Sequence, residues 1–136
     1  EPLLFTHQKA YWVEALNNDR DIPYTDDMDF FRKESLALGY MGENIFRAKC
    51  KKMGPEFFEE FLKEAVETAT AHGVPLYCGE YGVIELANAF ETVKWFRDVH
   101  QVFDKYGIGH ALWSYKEMDF GFTGEHYKPL RDFMLK

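Results

Sequence analysis

The sequence predicts an α/β fold in which parallel strands alternate with helices. Two long helical patterns are each followed by a glycine and then by a short apolar run typical of a strand. Strands that alternate with helices are joined by crossovers, so they pair in parallel. The links from helix to strand are short, whereas the links from strand to helix are long.

The first of these helices is predicted over 56–72. Pro55 stands at its start, where the missing N–H of proline costs nothing, and Gly73 follows as the C-cap. After it, residues 74–80 are predicted to form a buried strand. The helix shows one stripe of apolar residues at intervals of three and four, namely Phe57, Phe58, Phe61, Leu62, Ala65, Val66 and Ala69.

The second helix is predicted to begin after Asn88, with a glutamate three residues later as its capping-box partner. Gly107 marks its end. A second strand is expected over 108–114, followed by a loop over 115–127 and a closing short helix over 128–136.

The pattern upstream of these elements is weaker. Residues 1–28 are polar and turn-rich, so we expect a long loop with one short helical turn near 9–16. A helix within 29–52 is indicated by Ile45, Ala48 and Lys52.

Two predicted strands are too few to form the sheet of a complete α/β domain. A (β/α)8 barrel needs about 250 residues and has the same asymmetry of loop lengths. The 136 residues are therefore interpreted as one partial domain, 1–136, holding roughly the last third of such a barrel. A doubly wound sheet shares the asymmetry. A complete small α/β domain is the other alternative, although it would need further strands within 1–55.

Composition excludes several partners. The formal net charge of −7 opposes binding to nucleic acid and to anionic membrane surfaces. No apolar run approaches the roughly 18 residues that span a bilayer, and no basic region of a signal peptide opens the sequence. With 46% hydrophobic residues, the chain can form a core and is not disordered.

Neither a metal nor another cofactor is expected. Cys50 and Cys78 lack metal or redox spacing and are interpreted as unpaired buried thiols, although a disulfide remains open. The histidines lack ligand spacing and are interpreted as surface or structural residues: His7, His72, His100, His110 and His126.

The strand ends carry the candidate chemistry. Glu80 ends the first predicted strand between Gly79 and Gly82, and in α/β barrels that end faces the active site. Glycine lets backbone and substrate approach closely, and a carboxylate on a buried strand is costly unless it is paired or functional. Trp113 occupies the equivalent end of the second strand, so the two side chains can face one ligand. A solvated glutamate and a core tryptophan are the plain alternatives.

Several segments together resemble a known family. The run 75–83 resembles the seventh strand of glycoside hydrolase family 5, the endoglucanase-type barrels, which carries a nucleophilic Glu in a Gly-Glu-aromatic-Gly setting. The run 107–115 resembles the eighth strand with its active-site Trp. The resemblance therefore implies that the chain is the C-terminal portion of a (β/α)8 barrel, with strands 7 and 8 and helices 6 to 8. The segments 116–122 and 2–8 are also similar to members of that family. The family's acid/base glutamate stands in an Asn-Glu pair, which does not occur in this sequence. The similar run 42–44, Gly-Glu-Asn, has the two residues in reverse order.

The resemblance implies a retaining glycoside hydrolase of the endo-β-1,4-glucanase type, acting on a β-linked polysaccharide. Glu80 would be its nucleophile and Trp113 a substrate contact, and the acid/base glutamate would lie in the missing N-terminal part. Secretion or a periplasmic or cell-surface location is expected because polymeric glycans lie outside cells. Weaker candidates for substrate contacts are His7, Tyr115, Lys116 and Asp119.

The resemblance also implies that the isolated chain is inactive. Its open sheet edges would pair with the missing N-terminal part of the barrel or with other copies. The main alternative function is a non-catalytic carbohydrate-binding or interaction domain, in which exposed aromatic rings stack on sugars. That platform would consist of Trp113, Tyr81, Tyr115 and Phe120. A small α/β domain with no role in glycan binding is a third possibility.

Overall fold

The computed structural model describes residues 2–116 and 118–134 of the chain. Within this part, β1 (Tyr77–Tyr81) and β2 (Gly109–Leu112) form a two-stranded sheet. The strands are parallel, with Tyr77 paired to Gly109 and Tyr81 paired to Leu112. The predicted parallel pairing is therefore confirmed. Both strands are shorter than the predicted ranges.

Helices and loops make up the rest of the described chain. The α-helices are α1 (Leu3–Thr6), α2 (Met28–Glu34), α3 (Glu43–Arg47), α4 (Pro55–His72), α5 (Ala89–Tyr106) and α6 (Lys128–Met134). Short 3₁₀ helices occupy Glu14–Leu16, Ser35–Gly42 and Glu125–Tyr127. The predicted closing helix extends to Lys136, but residues 135 and 136 lie outside the described residues, as do Glu1 and Glu117. No described helix is both long and apolar enough to cross a bilayer.

The two long helices begin and end where the sequence predicts. Gly73 and Gly107 follow them with φ of 63° and 62°, in the left-handed region that glycine adopts readily. The Asn88 side chain accepts hydrogen bonds from the amides of Phe90 and Glu91 and so caps the start of α5. Asn88 and Gly107 thus mark the two ends of α5, and β2 begins shortly after Gly107.

The N-terminal third differs from the prediction. The short helix α1 was not anticipated, and the helix indicated as far as Lys52 ends at Arg47. Beyond it the backbone is extended, because the Arg32 guanidinium donates to the carbonyls of Ala48 and Cys50. Lys52 forms an antiparallel bridge with Asp27. These tertiary contacts replace the hydrogen bonds that a continued helix would have made.

The apolar stripe of α4 is only partly buried. Phe57 and Phe58 are buried, and Phe58 meets Trp95 of α5 edge to face at 5.9 Å. Phe61 is 42% exposed, and Ala65 is exposed as well. Cys50 is buried and Cys78 half-buried, the two do not form a disulfide, and the Cys78 thiol donates to the Glu80 carbonyl at 3.4 Å.

The prediction of a buried first strand is wrong for this chain. Tyr77, Gly79 and Glu80 are all exposed. The physical reason is that helices cover only one face of the sheet, and each strand has one edge without a strand neighbour in the described part of the chain. The desolvation cost that sequence reasoning assigned to Glu80 therefore does not apply to the chain by itself.

The covered face of the sheet is built around Tyr81. Its ring lies 5.5 Å from the ring of Phe96 and 5.2 Å from that of Phe103, both on α5. Its hydroxyl lies 2.8 Å from His100 Nε2 and 3.0 Å from His110 Nδ1, so it can donate to one imidazole and accept from the other. Burial raises the pKa of Tyr81. This cluster joins the end of β1 to both α5 and β2.

The Tyr81 cluster predicts a dependence of stability on pH. Burial, and then the charge of His110, lower the pKa of His100 below its ordinary value of about 6.5, and Asp104 opposes this in part. Because the folded state binds the proton less well than the unfolded state, the free energy of unfolding falls as the pH drops below about 6.5.

Urea unfolding at about pH 7.5 and about pH 5 measures the effect. We expect His100→Gln to reduce the difference between the two pH values. His72→Gln, at the exposed end of α4, is the control and should leave the difference unchanged. An equal pH dependence in His100→Gln and the parent chain would contradict the assignment.

Candidate active site

The candidate site lies at the carboxyl ends of β1 and β2. The Trp113 amide donates to the Tyr81 carbonyl at 3.0 Å, which continues the strand pairing beyond Leu112. Side chains alternate between the two faces of a sheet. Tyr81 faces α5 and the neighbouring Glu80 is exposed, in a stretch where the pairing of β1 with β2 is irregular, between Cys78 and Tyr81. Trp113 follows Leu112, whose side chain packs against the core, and is itself partly exposed.

Glu80 and Trp113 line the same open cavity, of about 330 Å³. Trp113 is 42% exposed, so one part of its indole is free to meet a ligand. The Trp113–Ser114 peptide bond is cis. The cavity is also lined by His7, Trp12, Tyr81, Gly82 and Phe120. The structure thus brings together three of the residues that the sequence singled out, namely Glu80, Trp113 and His7.

A backbone hydrogen bond places His7 beside the strands. The Ile84 amide, just after β1, donates to the Thr6 carbonyl at the end of α1 at 2.9 Å. The Thr6 hydroxyl lies 2.9 Å from His7 Nδ1 and orients the imidazole. The ring of His7 then packs at 5.1 Å from the ring of Phe120.

Trp12 is the lining residue that sequence reasoning missed. Its side chain is 45% exposed, and its ring lies 6.5 Å from that of Phe120. The available signal was the aromatic pair Tyr11-Trp12 inside a polar, turn-rich segment. Nothing in the local sequence shows that this loop folds back to the strand ends.

Three candidates do not line the cavity: Tyr115, Lys116 and Asp119. The loop that carries them folds back on itself, because the Ser114 amide donates to the Phe120 carbonyl and the Phe122 amide to the Ser114 carbonyl. Tyr115 is 71% exposed as a result. Glu117, in the same loop, lies outside the described residues.

The alternative, non-catalytic interpretation predicts four exposed rings that stack on sugars, and this prediction is wrong for two of them. Tyr81 is 7% exposed with its ring against α5, and Phe120 is 8% exposed. Neither offers an open face of the kind that stacks on a sugar ring. In the described part of the chain, no group of three or more His, Cys, Asp or Glu side chains is arranged to hold a metal ion.

Gly82 lets the two strand ends approach closely. A Cβ at this position would lie 2.5 Å from the Trp113 carbonyl oxygen and 3.4 Å from Phe120 Cδ1. Gly79 is different, since the nearest atom to its added Cβ would be Tyr77 Cε1 at 3.8 Å. The close approach expected at these glycines therefore occurs at Gly82 and joins Glu80 to Trp113 through the backbone.

Comparison with known proteins gives this geometry a context. The chain is 35% identical over 133 residues to Endoglucanase C of Acetivibrio thermocellus. It is also 36% identical over 108 residues to Cellodextrinase A of Ruminococcus flavefaciens. The chain is similar to endoglucanases over nearly its whole length. The match covers 95% of this chain and 38% of Endoglucanase C, and 79% of this chain and 25% of Cellodextrinase A. No family model matches the sequence.

The fold has a counterpart among solved structures. An endoglucanase structure superposes with a TM-score of 0.61 at 21% identity, covering 96% of this chain and 35% of the other. At that identity the likeness shows the fold alone. The mixed helical and sheet fold of this chain therefore resembles a part of that structure.

Gly82→Ala is expected to destabilise the site. The methyl group would push the Trp113 carbonyl away, which we expect to lower the free energy of unfolding by about 1–3 kcal/mol. Urea unfolding measures this loss. Gly79→Ala is the matched control, because its methyl group meets only an ordinary contact. Equal losses in the two variants would show that the close approach at Gly82 is not what matters.

Proposed function

We propose that this chain is the C-terminal part of a retaining glycoside hydrolase of family 5 that acts on β-1,4-glucan, with Glu80 as the nucleophile. In this proposal β1 and β2 are the seventh and eighth strands of a (β/α)8 barrel. The observation that carries it is the common cavity of Glu80 and Trp113 on the uncovered face of the sheet. In a barrel that face would be the interior, and active sites lie at the carboxyl ends of its strands.

The similarity to named relatives supports the choice of substrate. Endoglucanase C and Cellodextrinase A are both named for the cleavage of glucans. A pyranose ring presents C–H faces, which pack well on an exposed indole. Trp113, and with it Trp12, would hold a sugar beside the carboxylate, and His7 would contribute a polar contact.

The proposed reaction needs two carboxyl groups about 5–5.5 Å apart. A second glutamate, from outside this chain, protonates the glycosidic oxygen as the bond to the anomeric carbon breaks. The Glu80 carboxylate attacks that carbon and forms a glycosyl-enzyme ester. Water, deprotonated by the second glutamate, then attacks the same carbon, which releases the sugar with retained configuration and restores both groups.

The rest of the barrel is proposed to supply the further strands and the second glutamate. The sheet has free edges and one uncovered face in the described part of the chain, and such edges pair readily with further strands. The upstream strands of the same protein fit this place best. We therefore propose that the 136 residues alone hydrolyse no glucan, and that activity appears when the N-terminal part is present.

The location follows from the proposed substrate. Polymeric glucan lies outside cells, so the protein is proposed to act after secretion or at the cell surface.

Glu80→Gln tests the role of the carboxylate. The amide cannot form the glycosyl ester, so we expect kcat on a soluble β-1,4-glucan to fall by at least about a thousandfold in the full-length protein. Reducing-sugar release measures kcat, and isothermal titration with cellotetraose measures binding. Binding should persist, because the stacking rings are unchanged.

Glu64→Gln, on the exposed side of α4, is the matched control and should retain full activity. Undiminished hydrolysis by Glu80→Gln would refute the assignment of the nucleophile. A parent protein that binds cellotetraose without any hydrolysis would favour the carbohydrate-binding alternative.

A further inference from the structure

Glu85 lies outside the cavity, yet it is bonded to one of the cavity walls. It follows β1 in the loop that leads to α5, and its side chain is half-buried. Its Oε2 accepts a hydrogen bond from the Phe120 amide at 2.7 Å. That distance falls in the range of charge-assisted bonds, which are stronger than bonds between neutral groups. The bond spans 35 positions of the sequence and joins the two loops that follow β1 and β2.

The residue held by this bond has an unusual backbone. Phe120 has a φ of 71°, in the left-handed region that bulky residues rarely adopt. Such a conformation persists only where the surroundings impose it. Here both sides of the residue are fixed, since its amide donates to Glu85 and its carbonyl accepts from the Ser114 amide at 3.2 Å. The carboxylate is therefore one of two restraints on a strained residue.

Phe120 in turn supports the aromatic side of the cavity. Its ring lies 5.1 Å from the ring of His7 and 6.5 Å from that of Trp12. It also packs over Gly82, where an added Cβ would lie 3.4 Å from its Cδ1. Moving Phe120 would thus displace the wall that stands beside Glu80, without touching Glu80 itself.

Two buried polar groups near Glu85 do not bond to its carboxylate. His126 Nε2 and the Tyr127 hydroxyl are buried near it, and neither has a hydrogen-bond partner in the described part of the chain. Burial lowers the pKa of His126 and raises that of Tyr127, and in both cases the negative charge of Glu85 raises the pKa as the second cause. Among the described residues, the Phe120 amide is the donor that bonds to Glu85.

We propose that Glu85 is a positioning residue of the glucan site: its carboxylate holds the Phe120 backbone and thereby sets the place of Phe120, His7 and Trp12 around the bound sugar. This inference rests on the proposed function, since it takes the cavity as the sugar site. Glu85 acts through Phe120 and does not touch the reacting atoms.

The hydrogen bond between Glu85 and the Phe120 amide is tested without measuring enzymatic activity. Selective ¹⁵N labelling of phenylalanine in the full-length protein allows the Phe120 amide to be followed by NMR. Glu85→Ala should move the Phe120 amide proton upfield and accelerate its hydrogen exchange by at least about tenfold. Glu85→Gln retains an acceptor oxygen and should cause the smaller change. An unchanged Phe120 resonance in Glu85→Ala would overturn the proposal.

The effect on the site is tested with cellotetraose as the substrate. Glu85→Ala should raise KM about fivefold to tenfold, with kcat within about twofold of the parent. Glu85→Gln should restore KM to within about twofold. Glu64→Ala, on the exposed side of α4, is the control and should leave both constants unchanged.

The outcomes separate this inference from the function on which it rests. A shifted Phe120 amide with an unchanged KM, in a protein whose hydrolysis is abolished by Glu80→Gln, would overturn the positioning role and leave the proposed function intact. If Glu80→Gln hydrolyses normally, the nucleophile assignment fails. The KM of Glu85→Ala then still decides whether Glu85 shapes the sugar site. A fall in apparent kcat with an unchanged KM in both Glu85 variants would indicate a loss of folded enzyme rather than of positioning, and would overturn the inference.

Discussion

The parallel pairing of β1 with β2 is the constraint on which the candidate site depends. The hydrogen bond from the Trp113 amide to the Tyr81 carbonyl brings the two strand ends into contact. Tyr81 is anchored against α5, while Glu80 and Trp113 are exposed. Gly82 permits the approach, because any side chain there would collide with the Trp113 carbonyl. A carboxylate and an indole thus line one open cavity at one end of the sheet.

Much of the C-terminal two-thirds could be predicted because its signals are local. Pro55 and Gly73 bound α4, and Asn88 and Gly107 bound α5, by preferences that act within a single turn. The parallel strands follow from the alternation of elements. The placement of Glu80 beside the second strand needed only the rule that parallel strands end at a common edge.

The remaining features depend on contacts between distant residues, which local patterns do not encode. Arg32 draws the backbone after α3 into an extended path, although the sequence there favours a helix. Trp12 lies at the cavity, in a segment that follows Thr6, whose carbonyl accepts from the Ile84 amide after β1. Tyr115 turns away because its loop pairs with itself. The exposure of β1 has another origin, since helices cover one face of the sheet and the described residues supply no further strands.

The central claim is that Glu80 forms the covalent bond to the sugar. The most direct measurement incubates the full-length protein with an activated 2-deoxy-2-fluoro-β-cellobioside and then maps the labelled peptide by mass spectrometry. The fluorine slows hydrolysis of the intermediate, so a retaining enzyme accumulates it. The account predicts one adduct, on the peptide that contains Glu80. An adduct on a different carboxylate, or turnover without any adduct in an active preparation, would contradict it.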